Sequence, residues 1–145
     1  MLATYTTVTT GRADNIELNL TAEKKESLTV TPPPQFQGVE DKWSPEDLFS
    51  ASISSCYILT FKSFAQFQKL AWTNIEVKAD AHLEKVEKGF AFTKVDIYVN
   101  LEICCEGNVD PYLELLYKAK DNCLVTKSMN CEFSLHPKIK NTAKK

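Results

Sequence analysis

Apolar and polar residues alternate with period two over residues 73–84, where Ile75, Val77, Ala79, Ala81 and Leu83 share one face. The same alternation runs over 91–105 through Val95, Ile97, Val99, Leu101, Ile103 and Cys105. It predicts two half-buried strands, joined as a hairpin at Glu87-Lys88-Gly89. Residues 2–10, 15–20 (Ile16, Leu18, Leu20) and 27–31 (Leu28, Val30) predict a three-stranded meander at the N-terminus. Pro32-Pro33-Pro34 ends it, because proline has no N–H to give a ladder, and the chain through Gly38 to Lys42 reads as a loop.

Ser44-Pro45-Glu46-Asp47 then supplies a capping hydroxyl, a proline at the first helical position and two acids in the positive first turn. No Gly or Pro follows before Lys69, which permits one helix of about 25 residues, roughly 37 Å long. Its apolar residues point in nearly every direction around the axis, and a helix apolar all round is buried on all sides. Thin sheets cannot enclose it alone, so a second subunit is expected to cover one face. Asp110-Pro111 repeats the cap-and-proline signal for a helix carrying Leu113, Leu115, Leu116 and Ala119, ending near Cys123. A last strand over 131–136 turns Phe133 and Leu135 inward. The order βββ-α-ββ-α-β is an α+β chain with helices segregated from antiparallel strands, expected as a single domain over 1–145.

The 145 residues are 43% hydrophobic and 25% charged with a net charge of −2, ordinary for a soluble globular protein. No basic cluster precedes Lys144-Lys145, so nucleic acid has no electrostatic footprint. The first residues show no basic stretch leading into an apolar core, so no signal peptide is expected, and the apolar-rich run 48–61 is too short to span a membrane, which gives the expectation of a cytoplasmic protein. Five cysteines at irregular spacing do not form a secreted disulfide framework and leave free thiols in a reducing compartment.

Those thiols are the candidate chemistry. Cys105 and Cys131 share parity with core residues and read as small hydrophobes, and Cys104 faces the other way. Cys56 lies inside the central helix beside a serine-rich patch, and Cys123 lies where the second helix ends. A reactive pair needs positive charge near one thiolate and a second thiol within reach. The chain has one arginine, Arg12, and 67 residues separate Cys56 from Cys123, which periodicity cannot bring together. His82 and His136 stand alone on their strands, without metal-ligand spacing. Adjacent Cys104 and Cys105 point to opposite faces, and no phosphate loop or nucleophile elbow is present.

The segment Ser44-Pro45-Glu46-Asp47-Leu48-Phe49-Ser50-Ala51-Ser52-Ile53-Ser54-Ser55-Cys56 resembles the "(N/S)PE(E/D)L…A…C" helix of the OsmC/Ohr proteins, the osmotically inducible and organic hydroperoxide resistance family. Lys118-Ala119-Lys120-Asp121-Asn122-Cys123-Leu124-Val125-Thr126 resembles its "KAxxxCPxS" segment, and residues 83–95 are similar to its hairpin. The resemblance implies an intertwined homodimer with active sites at the interface, reducing organic hydroperoxides. Cys56 would be the peroxidatic thiolate that becomes a sulfenic acid, and Cys123 would resolve it as a disulfide. An external dithiol would regenerate the pair, which in the Ohr branch means lipoyl groups on protein carriers, and no metal or organic cofactor is implied. Glu46 matches the glutamate that orients an arginine, and Arg12 matches the arginine that lowers the thiol pKa and binds the peroxide. Leu124 departs from the pattern where proline usually follows the second cysteine, and the loop before the central helix carries no arginine.

Ten residues separate Glu46 from Cys56, about 15 Å along a straight helix. Either the helix breaks between them or Glu46 approaches the other chain's thiol. Two rivals accompany this reading: a non-catalytic dimer of the same fold that binds a small molecule or senses redox state, and a general disulfide oxidoreductase, which the buried setting of Cys56 disfavours.

Overall fold

The computed structural model describes residues 1–104 and 107–142. The expected core position of Cys105 and the terminal Lys144-Lys145 lie outside the described residues. The chain divides into two compact units, Met1–Phe49 and Ser50–Lys145.

In the first unit, β1 (Val8–Arg12), β2 (Asn15–Thr21) and β3 (Leu28–Val30) form an antiparallel sheet in that order. The first strand is shorter at its start than the predicted 2–10 because β2 ends at Thr21, the partner of Val8. Residues before Val8 therefore have no strand to pair with. After a 3-10 turn at Pro34–Phe36, Gly38 returns so close to Pro32 that a Cβ would lie 1.5 Å from its carbonyl oxygen, so only glycine fits. Trp43 then bridges Val30, and Thr31 N–H donates to the Trp43 carbonyl at 2.8 Å.

The helix α1 (Pro45–Gln68) starts as the sequence predicts. Ser44 Oγ accepts from the Asp47 N–H at 3.0 Å, while Asp47 Oδ2 accepts from the Ser44 N–H and hydroxyl. This reciprocal box satisfies donors that a helix start leaves free. The helix closes with Lys69 in the left-handed region, φ 59°, and Leu70 N–H bonded back to Ala65. Its buried residues form one stripe, Ile53, Tyr57, Phe61 and Ala65, each four apart, whereas Leu59 and Phe67 are exposed.

The second unit holds β4 (Asn74–Val86), β5 (Gly89–Ile103), α2 (Asp110–Asn122), α3 (Leu124–Lys127) and β6 (Glu132–Asn141). Strands β4 and β5 form the predicted hairpin, closing at Val86 and Gly89. Val95, Ile97, Val99, Leu101 and Ile103 on one face of β5 are buried, as are Tyr112, Leu115, Leu116 and Ala119 of α2. Tyr57 of α1 ties this core together by donating its hydroxyl to the Leu116 carbonyl at 2.7 Å.

Four expectations are corrected by the second unit. Strand β6 runs parallel to β5, from Lys94 opposite Glu132 to Ile103 opposite Asn141, because the α2–α3 crossover carries the chain back to the start of the sheet. It also continues past Pro137, which an edge strand tolerates where its N–H side faces outward. Cys131 precedes this strand and is only half-buried, its thiol donating to the Phe92 carbonyl at 3.3 Å. Asp110 is the first residue of α2 and not its cap; its N–H is received by Asn108 Oδ1 at 3.0 Å. Among the described residues no helix is long and apolar enough to cross a membrane.

The two histidines are not alone. On the polar face of the second sheet, His82 lies opposite Lys94 and His136 opposite Tyr98, so both are diagonal to Asp96 on the middle strand. His82 Nε2 meets Asp96 Oδ2 at 2.8 Å and His136 Nε2 meets Oδ1 at 2.9 Å. These bonds, that from His136 foremost, hold the Asp96 carboxyl below the usual carboxylate range. Tyr98 stacks on His136 with ring centres 4.6 Å apart.

Candidate active site

Cys56 sits in the fourth turn of α1 and is half-buried; Cys123 joins α2 to α3 and is fully buried. Helix periodicity fixes the first placement, one residue before the buried Tyr57. The second follows from the end of α2, where Cys123 takes an extended backbone, φ −71° and ψ 118°, between two helices. A residue preceding proline is held to such values. Here Leu124 follows, at the first position of α3, and the same geometry persists without the ring.

The fold brings these two thiols next to each other, close enough that one shifts the titration of the other. Burial is the largest influence on Cys123 and pushes its thiol up; the neighbouring Cys56 thiol raises it further. Thr126 acts against this, since its N–H and hydroxyl both reach the sulfur and favour the thiolate. Thr126 is itself buried, and its Oγ1 donates to the Cys123 carbonyl at 3.1 Å. The Thr60 hydroxyl anchors the other side of the pair by donating to the Cys56 carbonyl at 2.8 Å. Tyr57 stays a neutral phenol, because burial raises its pKa far above the ordinary value.

Chemically, the pair is a dithiol with unlike members. One sulfur is partly open to solvent, and the other is enclosed and held as a protonated thiol. A neighbouring pair of this kind can be oxidised to a disulfide, whereas Cys131 and the exposed Cys104 are placed elsewhere in the second unit.

The charged residues lie in the first unit. Arg12, at the end of β1, grips Asp14 with both arms of its fork, Nε to Oδ1 and Nη2 to Oδ2, each at 3.0 Å. Its side chain is 76% exposed, and it lowers the Asp14 pKa. Glu46, in the first turn of α1, borders a cavity of about 350 Å³ with Ile16, Leu18, Pro32 and Phe36. Its Oε1 is buried without a hydrogen-bond partner. Arg12 and Glu46 are thus not paired with each other.

The sequence pattern singles out neither Asp14 nor Thr126. A signal exists for the first in Arg12-Ala13-Asp14, where an acid two residues on falls beside the arginine across a tight turn. For Thr126 it lies in the Cys-x-x-Thr spacing, which places a hydroxyl within reach of the sulfur once the chain turns.

The chain is 28% identical to the peroxiredoxin OsmC of Escherichia coli over 108 residues, 74% of this chain and 73% of that protein. Among solved structures, an OsmC-like protein of unknown function from Vibrio cholerae superposes with a TM-score of 0.84 at 20% identity, covering 94% of this chain and all of that one. The organic hydroperoxide resistance protein OhrB of Bacillus subtilis gives a TM-score of 0.71 at 21% identity, covering 95% of this chain and 100% of its own. These likenesses show a shared α+β fold. The sequence profile described as OsmC-like protein matches residues 38–136, a stretch that holds Glu46, Cys56 and Cys123 and leaves Arg12 outside. With two thirds of its length matched and its fold shared, the chain belongs to the OsmC-like family.

Proposed function

We propose that this protein is a thiol peroxidase that reduces organic hydroperoxides as a homodimer. The observation that carries the reading is the contact between the Cys56 and Cys123 thiols, two residues 67 positions apart held in one buried cluster. The names of its relatives, a peroxiredoxin in Escherichia coli and an organic hydroperoxide resistance protein in Bacillus subtilis, support the same class of activity.

Cys56, the more open thiol, is the nucleophile. Its thiolate attacks one peroxide oxygen, the O–O bond breaks, and the leaving alkoxide takes a proton to depart as an alcohol. Cys123 sulfur then attacks the resulting sulfenic acid, water leaves, and a Cys56–Cys123 disulfide forms. An external dithiol reduces it and becomes a disulfide in turn, the role lipoyl groups would fill. Arg12 holds the thiolate and peroxide after exchanging Asp14 for the site, and Glu46 orients it. Because α1 runs unbroken from Pro45 to Gln68, ten residues of rise keep Glu46 about 15 Å from the thiol of its own helix. The glutamate therefore serves the thiol of the second subunit. The exposed Leu59 and Phe67 on α1 support such a subunit contact.

The cavity beside Glu46 favours alkyl or aryl tails, each buried methylene contributing about 0.8 kcal/mol. The test is stopped-flow consumption of cumene hydroperoxide and of hydrogen peroxide with a dithiol present, using wild type and Cys56→Ser. Faster reaction with cumene hydroperoxide and none in Cys56→Ser are expected. Equal rates would remove the organic class. No consumption at all would favour a non-catalytic binding or sensing dimer, a reading to which the engagement of Arg12 by Asp14 lends its support.

A further inference from the structure

We infer that Thr126 is a positioning residue that makes Cys123 the sulfur released when the disulfide is opened, directing the incoming reductant to Cys56. The inference rests on the dithiol chemistry proposed above and adds to it a residue and a direction of attack.

The geometry supplies the argument. Cys123 is fully enclosed and Cys56 is half-buried, so an external thiolate meets the Cys56 sulfur first. When it does, its sulfur bonds to Cys56 Sγ, the S–S bond breaks, and the electron pair passes to Cys123 Sγ. The second thiol of the reductant then displaces Cys56 as thiolate, and the reductant leaves as its own disulfide. One of its two protons ends on Cys123 and the other is available to Cys56, so the dithiol loses two hydrogens and the protein regains them.

Charge thus develops on the one sulfur that burial disfavours most. A leaving thiolate departs faster when it is better stabilised. Thr126 is a polar side chain beside it, adding to the Thr126 backbone N–H that also acts on the sulfur: its hydroxyl has a single proton and two acceptors on Cys123, the carbonyl oxygen at 3.1 Å and the sulfur. With both thiols free, the carbonyl receives that proton. As the sulfur becomes a thiolate, a small turn of the hydroxyl moves the bond to it, where a charged acceptor makes it stronger.

The experiment separates this inference from the peroxidase reading by forming the disulfide with diamide, which needs no peroxide. Oxidised wild type, Thr126→Val and Thr126→Ser are mixed with excess dithiothreitol, quenched at intervals and weighed by intact mass. Thr126→Val is expected to open about tenfold more slowly, and Thr126→Ser within about twofold of wild type. In a Cys56→Ser background, the alkylation midpoint of Cys123 is expected to rise in Thr126→Val and to return in Thr126→Ser. Thr126→Ala repeats both measurements should the valine methyls crowd this buried position. Equal opening rates in all variants, or an unmoved midpoint, would overturn the inference. Failure of peroxide to oxidise any variant would overturn the peroxidase reading alone.

Discussion

The thiol pair and the charged pair are held in different ways. Cys56 and Cys123 rest on a packed core, with Tyr57 bonded to Leu116 beside one and Thr126 against the other. Fixing them requires no further ordering, so the contact exists before any substrate arrives. Arg12 sits at the tip of an exposed hairpin, held by Asp14, and Glu46 faces its cavity with one oxygen unpartnered. The difference teaches that the thiol pair is built into the second unit, while the charges proposed to serve it are engaged within the first and would have to be rearranged.

Arg12 is where that comparison breaks most visibly. Arg12→Ala is expected to lower the second-order rate with cumene hydroperoxide by about 10- to 100-fold, the worth of a charge-assisted hydrogen bond. Asp14→Asn is expected to raise it by no more than about fivefold, because an exposed ion pair holds its arginine only weakly. Stopped-flow traces of the two variants check both directions. An unchanged rate in each would remove Arg12 from the reaction.

Glu46 sharpens the comparison from the side of stability. A carboxyl oxygen buried without a partner costs free energy that an amide, able to donate as well as accept, lessens. Glu46→Gln is therefore expected to unfold about 1 kcal/mol later in urea while losing turnover. A variant that is both less stable and fully active would contradict this account of the cavity.

The Asp96 tie offers a control inside the well-packed unit. Its carboxyl has a lowered pKa in the folded chain, so the stabilisation is complete above the unfolded value of about 3.9 and disappears as pH falls through the folded one. Replacing His82 and His136 by Gln lets the carboxyl return toward its ordinary value. Acid unfolding followed by near-UV circular dichroism should then begin at higher pH than in wild type. The smallest effect is expected at Leu124, whose position in α3 already suits proline. Leu124→Pro should raise stability by about 0.4–1 kcal/mol in thermal melts by restricting the unfolded chain.

Much of this fold is written locally. The Ser44–Asp47 box, the alternation along β4 and β5 and the proline opening α2 each act within a few residues, and the elements appear where those signals stand. What escapes local reading depends on register and return path. The parallel run of β6 follows from how α2 and α3 bring the chain back, and Pro137 conceals that the strand continues. The His82–Asp96–His136 tie needs three strands aligned diagonally. The site divides in the same way. Cys56 and Cys123 can each be picked out by the segments they occupy, but their contact is a property of the packed core. The partners of Arg12 and Cys123, Asp14 and Thr126, carry only short-range signals that many surface turns share.

The most direct test of the central claim is to treat the reduced protein with one equivalent of cumene hydroperoxide, alkylate the remaining thiols and map them by mass spectrometry. The account predicts a loss of two hydrogens, placed between Cys56 and Cys123, with Cys104, Cys105 and Cys131 all alkylated. A protein that stays fully reduced, or a disulfide that joins any other pair, would contradict it.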